Sequence, residues 1–236
     1  MRIAVWNVER ALGAVAQRQD AVLRTVGAQI LLLTEVSTAR SDANADLVVS
    51  PAERHGSFGN EAWVSIHGFG VEPVEPRLPY AGMAVAAKLM VDEAQIVVYG
   101  SVLPWLAIGH HKPGLLLTGE SSSDAFSRVL REQAKDVFEL QQRFPAAFVL
   151  WAGDFNQRLE GPNYGGRTSS RTELESALSA LRMQAWNRLS GHAQPSMCAI
   201  DLICGPVDRQ PRSISRIDPF DGSSALSDHA GYFIDV

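Results

Sequence analysis

Cysteine is nearly missing from this chain: Cys198 and Cys204 are the only two among 236 residues. Two thiols are too few for a disulfide framework or a thiolate zinc site, and free cysteines are usually buried, so both read as reduced core residues. Missing too is any apolar run of the ~18 residues that a membrane span needs. Positive charge is not in excess, since 21 Lys and Arg against 26 Asp and Glu leave a formal net charge of −5. Such a chain does not coat nucleic acid through bulk charge, and a phosphate ligand has to be gripped locally or through a bound cation. The run from Met1 to Trp6 is broken by Asn7, Glu9 and Arg10, with neither the length nor the cleavage site of a signal peptide. A cytoplasmic protein with no membrane span is the expectation. There is no Gly-x-x-x-x-Gly-Lys loop, no Gly-x-Ser-x-Gly elbow and no Cys/His zinc spacing, and Gly68-Phe69-Gly70 lacks the third glycine of a dinucleotide fingerprint.

What the chain does have is apolar sequence, 46% of its residues, in short runs that alternate with helix-like segments. The runs 3–6, 30–33, 47–49, 62–66, 147–151, 199–204 and 231–236 read as strands. Residues 83–91 and 95–103 read as two strands joined by a tight turn at Asp92-Glu93. Helices are expected over 13–28, over 124–143 with Ser122 or Ser123 as cap and Phe138 on the apolar side, and over 172–181. Residues 104–123 and the glycine-rich 161–166 read as loops. With no repeat and no linker, one α/β domain over 1–236 is expected.

Polar residues interrupt this pattern at strand ends. Asn7 ends the first strand, Glu35 ends the second, and Asp154 and Asn156 follow the strand that begins near Ala147. Asp228-His229 stands just before the last strand, so an antiparallel last strand would bring it to the same rim. Open α/β folds assemble sites in this way. Each residue has a plain alternative: Glu35 as a solvated loop carboxylate, Asn7 and Asp154-Phe155-Asn156 as turn formers. Asp201 is different, because Ala199-Ile200-Asp201-Leu202-Ile203 places it within an apolar strand, where an ionised carboxylate needs a partner. His229 is the obvious one, since a carboxylate fixes the tautomer of an imidazole and favours its charged form.

Taken in order, Trp6-Asn7-Val8, Thr34-Glu35-Val36, Gly153-Asp154-Phe155-Asn156, Ile200-Asp201-Leu202-Ile203 and Ser227-Asp228-His229 resemble the endonuclease/exonuclease/phosphatase superfamily. Its members include abasic-site endonucleases, pancreatic-type deoxyribonuclease and inositol polyphosphate 5-phosphatases. The resemblance implies a four-layer sandwich, two packed mixed β-sheets flanked by helices, and hydrolysis of a phosphoester with Mg²⁺, for which Mn²⁺ is a plausible substitute. It casts Glu35 as principal metal ligand, Asn7 as a residue that helps hold the metal site and the phosphate, and Asp228 as one that binds or supports the metal. It casts Asp154 as the acid that orients or deprotonates water and Asn156 as an amide that contacts the phosphate and positions Asp154. His229 becomes the imidazole on the scissile phosphate and Asp201 its orienter.

One departure stands out. Many relatives carry a His or Tyr near the end of the strand before the long helix, where this chain has apolar residues; His110 or His111 would have to stand in from the following loop. Arg167 and Arg171, flanking the glycine-rich loop, are candidates to meet a phosphate backbone or simply solvent. The expected partner is nucleic acid or another phosphoester. A nuclease is the leading reading, beside a phosphomonoesterase or phospholipid or inositol-phosphate phosphatase of the same fold, or a non-catalytic binding member.

Overall fold

The structure, a computed structural model, describes residues 1–40, 46–51, 53–54, 60–74, 83–106, 116–161 and 166–236; His110, His111 and residues 162–165 lie outside them. The strands are β1 (Arg2–Asn7), β2 (Ile30–Ser37), β3 (Leu47–Val49), β4 (Glu53–Arg54), β5 (Asn60–Gly68), β6 (Glu72–Val74), β7 (Ala84–Val91), β8 (Ala94–Val102), β9 (Phe148–Asp154), β10 (Met183–Ala185), β11 (Asp201–Pro206), β12 (Ser213–Ile217), β13 (Phe220–Asp221), β14 (Ser224–Ala225) and β15 (Gly231–Asp235). The helices are α1 (Gly13–Val26), α2 (Ser122–Arg143) and α3 (Thr168–Ala180). Among the described residues one sheet runs β12-β15-β1-β2-β5-β3, with β4 also on β5, and a second runs β10-β11-β9-β8-β7-β6. Both are mixed: β1–β2 and β8–β9 are parallel, whereas β1–β15 and β9–β11 are antiparallel.

Alternation along the strands builds the layers. On β1, Ala4 and Trp6 pack with Leu23 and Val26 of α1, while Ile3 and Val5 join the core shared with the second sheet. Helices α2 and α3 cover the other outer face, through Phe126, Val129, Leu130, Val137 and Leu140 of α2 and Leu174 and Leu178 of α3. The result is helix, sheet, sheet and helix in four layers, the expected sandwich. Among the described residues no helix is long and apolar enough to cross a membrane.

The hairpin at Asp92-Glu93 is present, with both residues at positive φ (46° and 67°) and Val91 paired to Ala94, the geometry that two-residue hairpins favour. Helix α2 starts earlier than expected because Ser121 is the cap: its hydroxyl accepts the Asp124 N–H while the Asp124 carboxylate accepts the Ser121 N–H. Phe138 lies off the buried stripe and is exposed, one residue from Val137, because 100° of helical rotation separates neighbours. Helix α3 begins four residues before the expected Thr172. Strands β10 and β12 were not expected; β10 is only three residues long, and β12 is an edge strand with little burial.

Candidate active site

Because β1 and β2 are parallel and β15 is antiparallel to β1, the ends of the first two strands and the start of β15 meet at one rim. Asn7 shares the inner face of β1 with Ile3 and Val5, and its side-chain amide donates to Asp154 Oδ2 across the sandwich at 3.1 Å. That bond ties the two sheets together at the rim. Asn7 Oδ1 in turn accepts the Glu9 N–H at 3.0 Å.

Asp154 sits where it does because Gly153 precedes it. Gly153 has φ 139°, and a Cβ there would stand 1.9 Å from the Ser101 carbonyl oxygen, so only glycine allows β9 to pass β8 this closely. Asn156, itself at φ 49°, turns its N–H back to Asp154 Oδ1 at 2.9 Å and commits its side-chain Nδ2 to the Leu103 carbonyl at 3.0 Å. Both Asp154 oxygens therefore accept from nitrogen donors. Asp201, the first residue of β11 rather than mid-strand, is the register partner of Asp154. Two buried carboxylates thus stand directly opposite one another on adjacent strands, a pairing that is destabilising unless something else compensates. Burial, then the charge of Asp201, push the Asp154 carboxyl up to about 7, with His229, the Asn156 N–H and the Asn7 amide pulling the other way.

His229 supplies part of the compensation. Its Nδ1 is 2.6 Å from Asp201 Oδ2. Burial lowers the imidazole, but Asp201, Asp154 and Asp228 outweigh it and hold His229 well above the ordinary imidazole range. Burial likewise raises Asp201, offset in part by His229. With carboxylates facing the ring on several sides, the proton of the pair belongs on His229. Its backbone is fixed as well: the Trp6 indole donates to the His229 carbonyl at 2.9 Å, and Ser227 Oγ accepts the His229 N–H at 3.1 Å while donating to the Asn7 carbonyl at 2.7 Å.

Glu35 does not end β2, which continues to Ser37. It sits inside the strand at φ 52°, a conformation uncommon for a residue with a side chain. Leu31 and Leu33 point to the α1 side, and that alternation resumes at Val36 instead of Glu35, which frees the carboxylate to face the rim. Arg10 Nη1 meets Glu35 Oε2 at 2.6 Å, and Arg10 Nε also pairs with the buried Glu61. Burial pushes the Glu35 carboxyl up to about 7 despite Arg10, with the Asp154 charge adding to the rise. Asp228 is exposed and lies beside His229, Oδ1 to Nε2 being 3.8 Å, with its N–H on Glu9 Oε2 at 3.2 Å.

The fold thus gathers Asn7, Glu35, Asp154, Asn156, Asp201, Asp228 and His229 at one rim, with Asp228 outermost. Arg171 is turned back onto the Gly161 carbonyl at 3.3 Å, and Arg167 is exposed at the start of α3. Sequence reasoning missed Glu9, Arg10, Glu61, Ser227 and His192. Glu9 and Arg10 follow Trp6-Asn7-Val8 immediately and Ser227 precedes Asp228, so adjacency was an available signal for those three. Glu61 and His192 carry none. His192 is buried, its ring is 5.2 Å from that of His229, and burial pulls it down to about 4. A ring nitrogen of His192, an oxygen of Asp201 and a ring nitrogen of His229 lie within 4.8 Å of one another.

In charge terms, among the described residues Glu35, Asp154, Asp201 and Asp228 face Arg10 and His229, so carboxylates outnumber cations. The oxygen donors of Glu35, Asn7, Glu9 and Asp228 are of the hard type that suits Mg²⁺ or Mn²⁺, and burial, with the Asp154 charge, keeps Glu35 raised even beside Arg10. By chemical type these donors fit such a cation, whereas the group whose ligand atoms lie within 4.8 Å of one another is, among the described residues, His192, Asp201 and His229.

The sequence profile of the endonuclease/exonuclease/phosphatase family matches residues 4–229. A 3′-5′ exonuclease from Neisseria meningitidis superposes with a TM-score of 0.74 at 16% identity, covering 100% of this chain and 99% of that one. The endonuclease domain of TRAS1, a telomere-specific non-LTR retrotransposon, gives 0.64 at 14% identity, covering 100% and 97%. D. rerio TDP2, complexed with a single-strand DNA product, gives 0.61 at 15% identity, covering 99% and 97%. At such identities the likeness is one of fold. Among curated proteins none matches the chain by sequence.

Proposed function

The chain belongs to the endonuclease/exonuclease/phosphatase family, and from that premise we propose that it hydrolyses a phosphodiester of nucleic acid with the help of Mg²⁺ or Mn²⁺. The observation that carries the reading is the pair of buried carboxylates, Asp154 opposite Asp201, set against the His229 imidazole at a rim that also carries Glu35 and Asp228. A phosphodiester is an anion, and this rim repels it until a cation is present. Glu35 would hold that cation, with Asn7 and Asp228 beside it; Glu9, hydrogen-bonded to Asp228, adds another oxygen donor. When bound, the cation supplies positive charge to the phosphoryl oxygens.

The chain's own groups divide the remaining work. Asp154, fixed by Asn7 and Asn156, orients the attacking water and takes its proton, a contribution typically worth ~10²–10⁴-fold. Its raised carboxyl suits a base that must accept a proton near neutrality. His229, kept charged and oriented by Asp201, donates to a phosphoryl oxygen as negative charge builds there. Asn156 keeps Asp154 aimed through its N–H. Nucleic acid is favoured as substrate because a nuclease domain and a DNA-product complex share the fold. The test is a panel of plasmid DNA, single-stranded DNA, RNA, an abasic-site duplex, bis-p-nitrophenyl phosphate and inositol phosphates, each with Mg²⁺ and with EDTA. Turnover of a nucleic acid or the model diester that vanishes in EDTA is expected. Full turnover after metal stripping would remove the metal from the proposal, and turnover of inositol phosphates alone would replace the substrate.

A further inference from the structure

We propose that His192 is a second imidazole of the site, a neutral hydrogen-bond donor to the phosphoryl group that His229 contacts as a cation. The inference deepens the phosphoesterase reading and rests on it. His192 is buried, and its Nδ1 accepts the backbone N–H of Gln194 at 3.2 Å. An imidazole nitrogen that accepts a hydrogen bond carries no proton, so in the neutral ring the proton is on Nε2. That Nε2–H is buried and has no hydrogen-bond partner among the described residues. A buried donor left unpaired costs free energy, and such a group in a folded chain calls for an explanation.

The same hydrogen bond decides what the ligand is. For Nε2 to bind a metal its proton would have to move to Nδ1, where it would point at the Gln194 N–H. The cluster of His192, Asp201 and His229 therefore presents a donor at His192, which fits an anionic oxygen better than a cation. Among the described residues the acceptor Asp201 Oδ1 is also unpaired, and no hydrogen bond joins the two. The scaffold behind the ring is firm. The His192 N–H donates to the Met197 carbonyl at 2.9 Å, Arg216 donates to the carbonyls of Gly191 and His192 at 3.0 and 3.3 Å, and Tyr232 donates to the Gly191 carbonyl at 3.0 Å. Held this way, the ring stands 5.2 Å from that of His229 and is tilted 70° to it, which on this proposal puts the two imidazoles on different oxygens of one phosphate.

Inorganic phosphate is the probe, titrated in Mg²⁺ into wild type, His192→Leu and His192→Gln while the histidine ring N–H signals are followed by NMR. Phosphate should shift the His192 Nε2–H signal, His192→Leu should weaken binding about 10- to 100-fold, and His192→Gln, which keeps an N–H donor, should restore much of it. With bis-p-nitrophenyl phosphate the Leu variant should raise KM more than it lowers kcat, with the pH profile unchanged in shape. Equal phosphate affinity in wild type and Leu, or a still His192 signal, would overturn the proposal. So would a loss of activity that travels with a shifted pH profile and unchanged phosphate affinity, since His192 would then act on Asp201. If wild type binds phosphate through His192 yet cleaves no diester, the hydrolytic reading fails and the anion contact stands.

Discussion

The two ends of the β-sandwich treat charge in opposite ways. At the end where β1 starts and β15 finishes, Arg2 and Asp235 form a two-point pair, Nε to Oδ1 at 2.9 Å and Nη2 to Oδ2 at 3.1 Å, and Ser213 Oγ adds a third bond at 2.7 Å. These groups keep contact with water, and the bond from Arg2 holds the Asp235 carboxyl down at about 2. At the other end Glu35 and Asp154 are withdrawn from water, stand near further carboxylates, and are pushed up to about 7. The same residue type is settled at one end and burdened at the other. Stability alone explains the first arrangement. The second, with left-handed Glu35 and Asn156 at its centre, costs stability and points to chemistry, as strained residues at sites often do.

The largest effect is expected from breaking the burdened end at its centre. Asp154→Asn should lower kcat by at least ~10²-fold with the circular dichroism spectrum unchanged, because the amide cannot take the proton. Steady-state kinetics on the diester that the substrate panel identifies decide this. A kcat within about threefold of wild type, a trivial change on the free-energy scale, would take the water from Asp154.

Next in size is the coupling inside the pair. Asp201→Asn and His229→Ala should each cost roughly tenfold or more in kcat/KM, by the size of a charge-assisted hydrogen bond. Together they should cost little more than the larger single loss, since Asp201 works by keeping His229 charged and aimed. Additive losses in log rate would make them independent.

Glu35 sharpens the contrast through stability. Its carboxyl rises from an ordinary 4.5 to about 7, so between those values the folded chain holds a proton that the unfolded chain has released. Without metal, stability should therefore fall as pH rises through that window, and Glu35→Gln should flatten the fall by on the order of 2 kcal/mol. Urea unfolding of both proteins in EDTA at pH 5 and pH 8 measures it; identical slopes would show that Glu35 carries no such burden. Magnesium should act the other way, stabilising wild type at pH 8 more than the Gln variant.

The smallest effect belongs to the settled end. Asp235→Asn should leave turnover untouched and shift the melting midpoint near pH 7 only slightly, because partly exposed pairs contribute little. The lowered Asp235 carboxyl adds stability above its ordinary 3.8 that is lost as pH falls toward about 2. The variant and wild type should thus converge in acid. A large loss of activity in Asp235→Asn would dissolve the distinction between the ends.

Much of the fold was legible because burial on both faces leaves continuous apolar runs, as in Ile30 to Leu33, and because α2 repeats its apolar residues at helical spacing. Strand β12 was not, since an edge strand keeps one side in water and shows no such run. The site was legible where polar residues interrupt those runs, which is how Asn7, Asp154 and Asp201 were found. Arg10 paired to both Glu35 and Glu61 was not, because residues far apart in sequence share a guanidinium only after the sheet has formed.

By itself the sequence determined which residue types interrupt which strands, and in what order; that pattern is local, written in side-chain polarity along the chain. The tertiary structure alone decided that Asp154 and Asp201 face one another in register, because strand pairing is a non-local choice. It alone decided that Glu35 turns inward, because a left-handed residue leaves no mark on composition or periodicity. And it alone brought His192 beside His229, because the two rings belong to separate segments that meet only when the fold has formed.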